Sequence, residues 1–174
     1  MAPRIDLPEN KDLPPEIADL LALLPPLHAF RMMAAVPSSF RPFLDLAGSV
    51  LSGAAFDPRL REIAVLRVTR QMKCNYAWTH HVTVGKATGL TDTQIAAIES
   101  EDPVCSLDEE GNLLCRAADE ITVSARLADD TLEKIKARYG NSGAAALILC
   151  CAYFNMLGRC LLSMRVELEK EKVL

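Results

Sequence analysis

Apolar residues return every three or four positions along most of this chain, and no stretch alternates apolar with polar residues as a half-buried strand does. The period predicts helices, punctuated by proline, glycine and asparagine. Met1 to Leu13, with Pro3, Pro8 and Asn10, reads as coil. Pro14-Pro15 suits a helix start, so a helix is expected over Glu16 to Leu24, stopping before Pro25-Pro26. A short helix covers Leu27 to Val36; Pro37-Ser38-Ser39 breaks it, and Phe40 to Leu51 forms another, closed by Gly53. Asp57-Pro58 offers an N-cap and a first helical residue for a helix from Pro58 to Met72. The next runs from about Tyr76 to Thr88 and ends at Gly89. Thr91-Asp92-Thr93-Gln94 predicts a capping box, and Ser100 to Asp108 a loop. Helices over Glu109 to Arg126 and Ala128 to Tyr139 follow. Gly140-Asn141 ends the second of these, and a last helix is expected from Ser142 to about Lys170. The fold class is therefore all-α, a multi-helix bundle.

Two of these helices stand out. In Pro58 to Met72, Leu60, Ile63, Ala64, Leu66 and Val68 are interleaved with Arg61, Glu62, Arg67 and Arg70, which predicts a largely buried helix carrying charge. The last helix holds the most apolar run, Ala144 to Phe154, interrupted by Asn155 and Arg159 well short of the roughly 20 residues a membrane span needs. It reads as a central core helix, or one shared with a second subunit, and no membrane partner is expected. The following Glu167 to Lys172 reads as a solvated charged end.

Composition narrows the class. A chain of 174 residues, 50% apolar and 24% charged, is long enough for one ordinary domain with a real core. Nineteen basic against 23 acidic side chains, with no Lys/Arg cluster, set nucleic acid aside as a partner. The first 30 residues lack a basic start followed by an apolar run, which argues against a secretory signal. The six cysteines then read as reduced thiols in a cytoplasmic protein, and no CxxC pair occurs among them.

The candidate chemistry lies in the centre. Glu62, Cys74 and His81 are an acid, a thiol and an imidazole, groups that move protons or attack electrophiles near neutral pH. Cys74 and His81 are seven apart, two turns, so a single helix would place them on one face. A helix N-terminus and a nearby imidazole would lower the Cys74 thiol pKa. A tight hairpin would bring Glu62 alongside, where His81 or Tyr76 would satisfy a buried carboxylate. Of His80 and His81, about 100° apart on a helix, at most one is expected to face the site. Adjacent histidines do not chelate from one helix, so no metal is expected, and no cofactor motif is visible. Cys105, Cys115, Cys150, Cys151 and Cys160 read as small buried hydrophobes, and Trp78 as core or a pocket wall.

Arg61 to Arg70, then Cys74-Asn75-Tyr76-Ala77-Trp78-Thr79-His80-His81, then Gly89-Leu90-Thr91-Asp92, with Ala152 to Arg159 as a final helix, resemble the carboxymuconolactone decarboxylase family, which includes the alkylhydroperoxidase D-like proteins. The resemblance covers the chain from about Pro37, giving a domain over 37–174 and an N-terminal helical extension over 1–36. It implies an all-helical homo-oligomer, commonly a trimer or hexamer, with a dimer also open. In the alkylhydroperoxidase branch a Glu, a CxxC pair and a His form the site. Carried over, these fall on Glu62, Cys74 and His81, but the second Cys is Ala77, which removes the intramolecular disulfide. Cys105 or Cys115 could resolve an oxidised Cys74 only if the fold brought one close.

The resemblance therefore implies a cofactorless lyase of the decarboxylase type. Glu62 and His81 would share a proton and act on a small lactone or unsaturated carboxylic acid. Arg67, Arg70, Tyr76, Trp78 and Asn155 are candidates to hold the substrate. Two alternatives stay open: a thiol-dependent peroxidase acting through Cys74, and a non-catalytic oligomer that binds a small molecule.

Overall fold

The computed structural model describes residues 4–52 and 56–170. Its eight helices are α1 (Pro15–Ala22), α2 (His28–Ala34), α3 (Pro37–Ser52), α4 (Pro58–Gln71), α5 (Asn75–Ala87), α6 (Asp92–Ser100), α7 (Glu109–Ser124) and α8 (Asp129–Met164). A short 3-10 turn, Asn10–Asp12, precedes them, and the described residues contain no strand. The all-α expectation holds.

Local chemistry sets most boundaries. The Asp57 carboxylate accepts from the amides of Arg59 (2.9 Å) and Leu60 (3.2 Å), and Pro58 occupies the first turn of α4. Thr91 and Gln94 form the expected capping box at α6. Asp108 caps α7 through the Gly111 amide at 2.7 Å. Three boundaries differ from the sequence reading. Pro37, read as a break, is the first residue of α3, because a proline gives up no needed hydrogen bond there. At Gly140 the chain turns sharply, φ 67° and ψ −178°, but helix resumes at once, so α8 is two helical pieces joined at a kink. The last helix stops at Met164, where Arg165 adopts a left-handed conformation, and residues 166–170 run on outside any helix. Gly53, read as the residue closing α3, lies outside the described residues.

Helix α4 is the axis of the core. Every residue from Glu62 to Thr69 is buried, and the helix packs against α5, α6, α7 and α8. Ile63, Leu66 and Val68 meet Leu114 and Ala118 of α7 and Leu147 and Phe154 of α8 in one cluster. Each such side chain, fully withdrawn from water, contributes roughly 1.5–3 kcal/mol. The apolar part of α8 serves this core through Ala144, Leu147, Cys151 and Phe154, while Ile148, Leu149, Met156 and Leu162 remain exposed on its outer side.

The N-terminal residues build a second, smaller apolar cluster with α2 and α3. Leu13, Ile17 and Leu21 cluster with Ala34 and Phe40. Both flanks meet at the foot of α8: the Ile5 amide reaches the Met164 carbonyl at 3.4 Å, and Arg4 pairs with Glu167 at 3.2 Å. The tail after α8 is thus folded against α2 and α5 and does not run free into solvent.

Candidate functional site

The turn between α4 and α5 fixes the site. Lys73 takes a left-handed conformation (φ 56°), and the Cys74 amide bonds back to the Thr69 carbonyl at 2.9 Å. The two helices return side by side, and the hairpin brings Glu62 to His81 as the spacing predicts. Glu62 is completely buried, and its Oε2 lies 2.7 Å from His81 Nδ1. Arg61 Nε donates to Oε1 at 3.4 Å. A carboxylate facing Nδ1 selects the tautomer in which Nδ1 donates, and Nε2 is the ring nitrogen without a protein partner. The Phe154 and His81 rings stand at 88° with centroids 4.8 Å apart, a T-shaped contact beside the imidazole.

His81 lines a cavity of about 380 Å³ with Tyr76, His80, Phe30, Phe43 and Leu157. Its walls are almost wholly apolar apart from Tyr76, Tyr153 and the two histidines. The sequence reading allowed only one of His80 and His81 to face the site, and the structure corrects this. The cavity spans enough of α5 that both adjacent side chains reach it.

His80 has a carboxylate of its own. Glu169, in the segment read as a solvated tail, has a side chain only 8% exposed. Its Oε2 lies 2.9 Å from His80 Nε2. Its Oε1 accepts from the Tyr76 hydroxyl at 2.6 Å and from the His28 amide at 2.5 Å. The Tyr76 oxygen accepts in turn from the Ala29 amide at 3.0 Å. Burial alone would push the Glu169 carboxyl upward. The Tyr76 hydroxyl, the His28 amide and the neighbouring His80 outweigh that and hold it below its ordinary value. Burial, reinforced by the Glu169 charge, raises the Tyr76 phenol, so that group stays protonated and donates.

Cys74 is placed differently from its expectation. It is 1% exposed, packed with Met32, Tyr76 and Leu161, and is not on the cavity wall. Cys74 is the N-cap of α5, with φ −86° and ψ 84°, so helical register begins after it and the same-face argument does not reach it. Its thiol pKa is raised, not lowered: burial pushes it up, and the amides of Ala77 and Tyr76 only partly offset this. Neither proposed resolving thiol helps. Cys105 is exposed elsewhere, and Cys115 lies in the core, its pKa pushed up to about 12 by burial.

Three of the substrate-binding candidates are engaged away from the cavity. Arg67 is a buried clamp: it donates to Asp119 at 2.5 and 2.8 Å and to the carbonyls of Ile98 (3.1 Å) and Glu101 (2.7 Å). Arg70 reaches the Glu99 carbonyl at 2.5 Å. Asn155 donates to Thr122 and the Cys151 carbonyl and accepts from Arg159 at 2.7 Å, tying α8 to α7. Trp78 lies on the opposite side of α5, in a hollow with Arg70, Lys73 and Glu99. Tyr76 alone of these candidates lines the cavity. The sequence reading missed Glu169, and spacing offered no signal, because 89 residues separate it from His80. Among the described residues no three His, Cys, Asp or Glu side chains form a metal-binding group.

The arrangement has close relatives in shape. Residues 37–119 match the carboxymuconolactone decarboxylase family. No curated protein shows significant similarity to the chain. An alkylhydroperoxidase AhpD core, an uncharacterized peroxidase-related protein from Ralstonia eutropha, superposes with a TM-score of 0.83 at 14% identity, over 98% of this chain and 95% of that one. An uncharacterized peroxidase-related protein from a Silicibacter species gives 0.83 at 16%, over 96% and 92%. A protein of unknown function from Agrobacterium tumefaciens, proposed to be an antioxidant defence protein AhpD, gives 0.67 at 22%, over 79% and 94%. At these identities the structural likeness speaks for the fold alone. The segment that matches the carboxymuconolactone decarboxylase family holds the α4–α5 hairpin with Glu62 and His81, and the fold around it is that of the AhpD-like structures.

Proposed function

We propose that this protein is a decarboxylase-like enzyme that transfers protons, through its own side chains, on a small unsaturated lactone or carboxylic acid. The observation that carries this reading is the buried Glu62–His81 pair opening onto an apolar cavity of about 380 Å³. That volume suits a small ligand. Glu62 holds the His81 ring with Nδ1–H toward itself and leaves Nε2 to take or return a proton. In a decarboxylation, the bond to the carboxylate breaks, CO₂ leaves, the electron pair enters the unsaturated system, and the imidazolium returns a proton to carbon.

The names of the structural relatives favour the alternative, a peroxidase acting through Cys74. Its thiol, buried and with a raised pKa, is poorly suited to that role, because the thiolate is the attacking form. The two readings part in one experiment. Wild type, Glu62→Gln, His81→Asn and Cys74→Ser are assayed for solvent-deuterium uptake into unsaturated lactones and for hydroperoxide turnover with excess dithiol. Proton transfer requires uptake in wild type and Cys74→Ser and its loss in the other two. Hydroperoxide turnover that disappears in Cys74→Ser, with no uptake in any variant, would replace this reading by the peroxidase. A homo-oligomer is part of the proposal, supported by the exposed Ile148, Leu149 and Met156 on α8, and light scattering measures it.

A further inference from the structure

The cavity carries a carboxylate–histidine pair twice, and the family motif accounts for only one of them. We infer that His80, held by Glu169 of the tail, is a second proton-transfer residue, and that the site moves a proton between two carbons of a neutral unsaturated lactone. This rests on the Glu62–His81 proton-transfer pair above, keeps the lactone of its two substrate classes, and assigns that lactone an isomerisation in place of a decarboxylation.

The two imidazoles are tethered by opposite nitrogens. His81 is bound through Nδ1 and His80 through Nε2. Neither remaining nitrogen has a hydrogen-bond partner among the described residues, and no buried side-chain nitrogen or oxygen there lacks one. Both free nitrogens are therefore accessible, on side chains that line the same cavity. Each ring keeps its carboxylate-bound N–H while the other nitrogen gains or gives a proton. Glu169 is the positioning residue, and Tyr76 and the His28 amide fix it in turn.

A decarboxylation needs one proton donor, whereas this cavity has two such groups. It also lacks what a carboxylate substrate would require. Arg67 is committed to Asp119 and two carbonyls, and among the described residues no arginine or lysine lines the cavity. A neutral lactone suits the apolar walls better than an anion.

The reaction balances within the site. His81 Nε2 removes a proton from the carbon next to the lactone carbonyl, and the electron pair passes into a dienolate. Protonated His80 gives its Nδ1 proton to the far carbon of that system. The double bond moves into conjugation, and the product is an isomer of the substrate. Solvent then takes the proton from His81 and restores one to His80.

The test uses α-angelica lactone, a neutral β,γ-unsaturated lactone, in D₂O with the full chain, followed by NMR. Two rates are read above background: deuterium uptake beside the carbonyl, and conversion to the conjugated isomer with deuterium at the far carbon. Wild type is expected to show both, and Glu62→Gln neither. His80→Asn and Glu169→Gln are expected to keep uptake beside the carbonyl and to lose conversion by about 100-fold or more. A merely structural role would lower both rates together. Glu169→Gln retains the hydrogen-bonding shape, so it reports even if His80→Asn fails to fold. Conversion at the wild-type ratio in both variants, equal losses of both rates, or wild-type uptake without conversion, overturns the second residue and leaves the Glu62–His81 reading intact. No uptake by wild type overturns both.

Discussion

The two sides of α5 carry the same chemical pair but hold it in opposite ways. His81 pairs with Glu62, a residue sealed on all sides within the most buried helix of the molecule. His80 pairs with Glu169, which reaches the cavity on a non-helical tail tied down by the Tyr76 hydroxyl, the His28 amide and His80 itself. The first pair is fixed by packing, and its geometry persists as long as the fold does. The second is fixed by hydrogen bonds, each worth only about 0.5–1.5 kcal/mol net, and it can be released while the core stays folded.

The largest expected effect therefore belongs to the core side. Glu62→Ala removes the group that orients His81, and proton-transfer activity should fall by about 100-fold or more. The same change opens space in the core, so urea unfolding should show a loss of roughly 1–3 kcal/mol as well. Activity within a few-fold of wild type would mean that His81 does not depend on Glu62.

Glu169→Ala should behave in the contrary manner. The global unfolding midpoint should move little, while amide hydrogen exchange at His28 and Ala29 accelerates by at least about tenfold, one released hydrogen bond's worth. Uniform acceleration across α4 would show that the tail is part of the core after all.

Acid should separate the two sides next. Glu169 titrates below its ordinary value of 4.5 in the folded chain, so its ionised form is the one that holds the tail. The stabilisation is fully present above that ordinary value and is lost as pH falls through the lower, folded one. Exchange at the His28 amide should accelerate in that window in wild type and show no such step in Glu169→Gln.

The smallest effect should come from Cys74→Ser. Its Sγ sits among apolar side chains away from the cavity, so proton transfer should be unchanged and stability should drop by about 1 kcal/mol. Native Cys74 should resist alkylation by iodoacetamide, while exposed Cys105 reacts readily, as peptide mass spectrometry would show.

This contrast also marks what was legible in the sequence. Period and caps placed α4 and α5, and the hairpin between them put Glu62 beside His81, because local rules govern contacts across one turn. Tyr76 came with the same helix. Arg67 misled, since an arginine on an apolar helix reads equally as a substrate clamp or an internal one. Its partners, Asp119 and the carbonyls at the end of α6, are distant in sequence. Cys74 misled because its single position at the helix cap decides both its direction and its burial. Glu169 was hidden by its company: a run of charged residues reads as solvated, and only the left-handed stop at Arg165 turns it back onto α5.

The family-matched segment, residues 37–119, supplies His80, His81 and Glu62, yet Phe30 and Leu27 above them, Leu157 beside them and Glu169 across them all come from outside it. Both imidazoles are thus encoded in one stretch of chain, while part of the wall and one of the two carboxylates come from its flanks. A relative could retune what it accepts by exchanging its flanks, with the reactive hairpin inherited unaltered, and an engineer could graft in the same modular fashion.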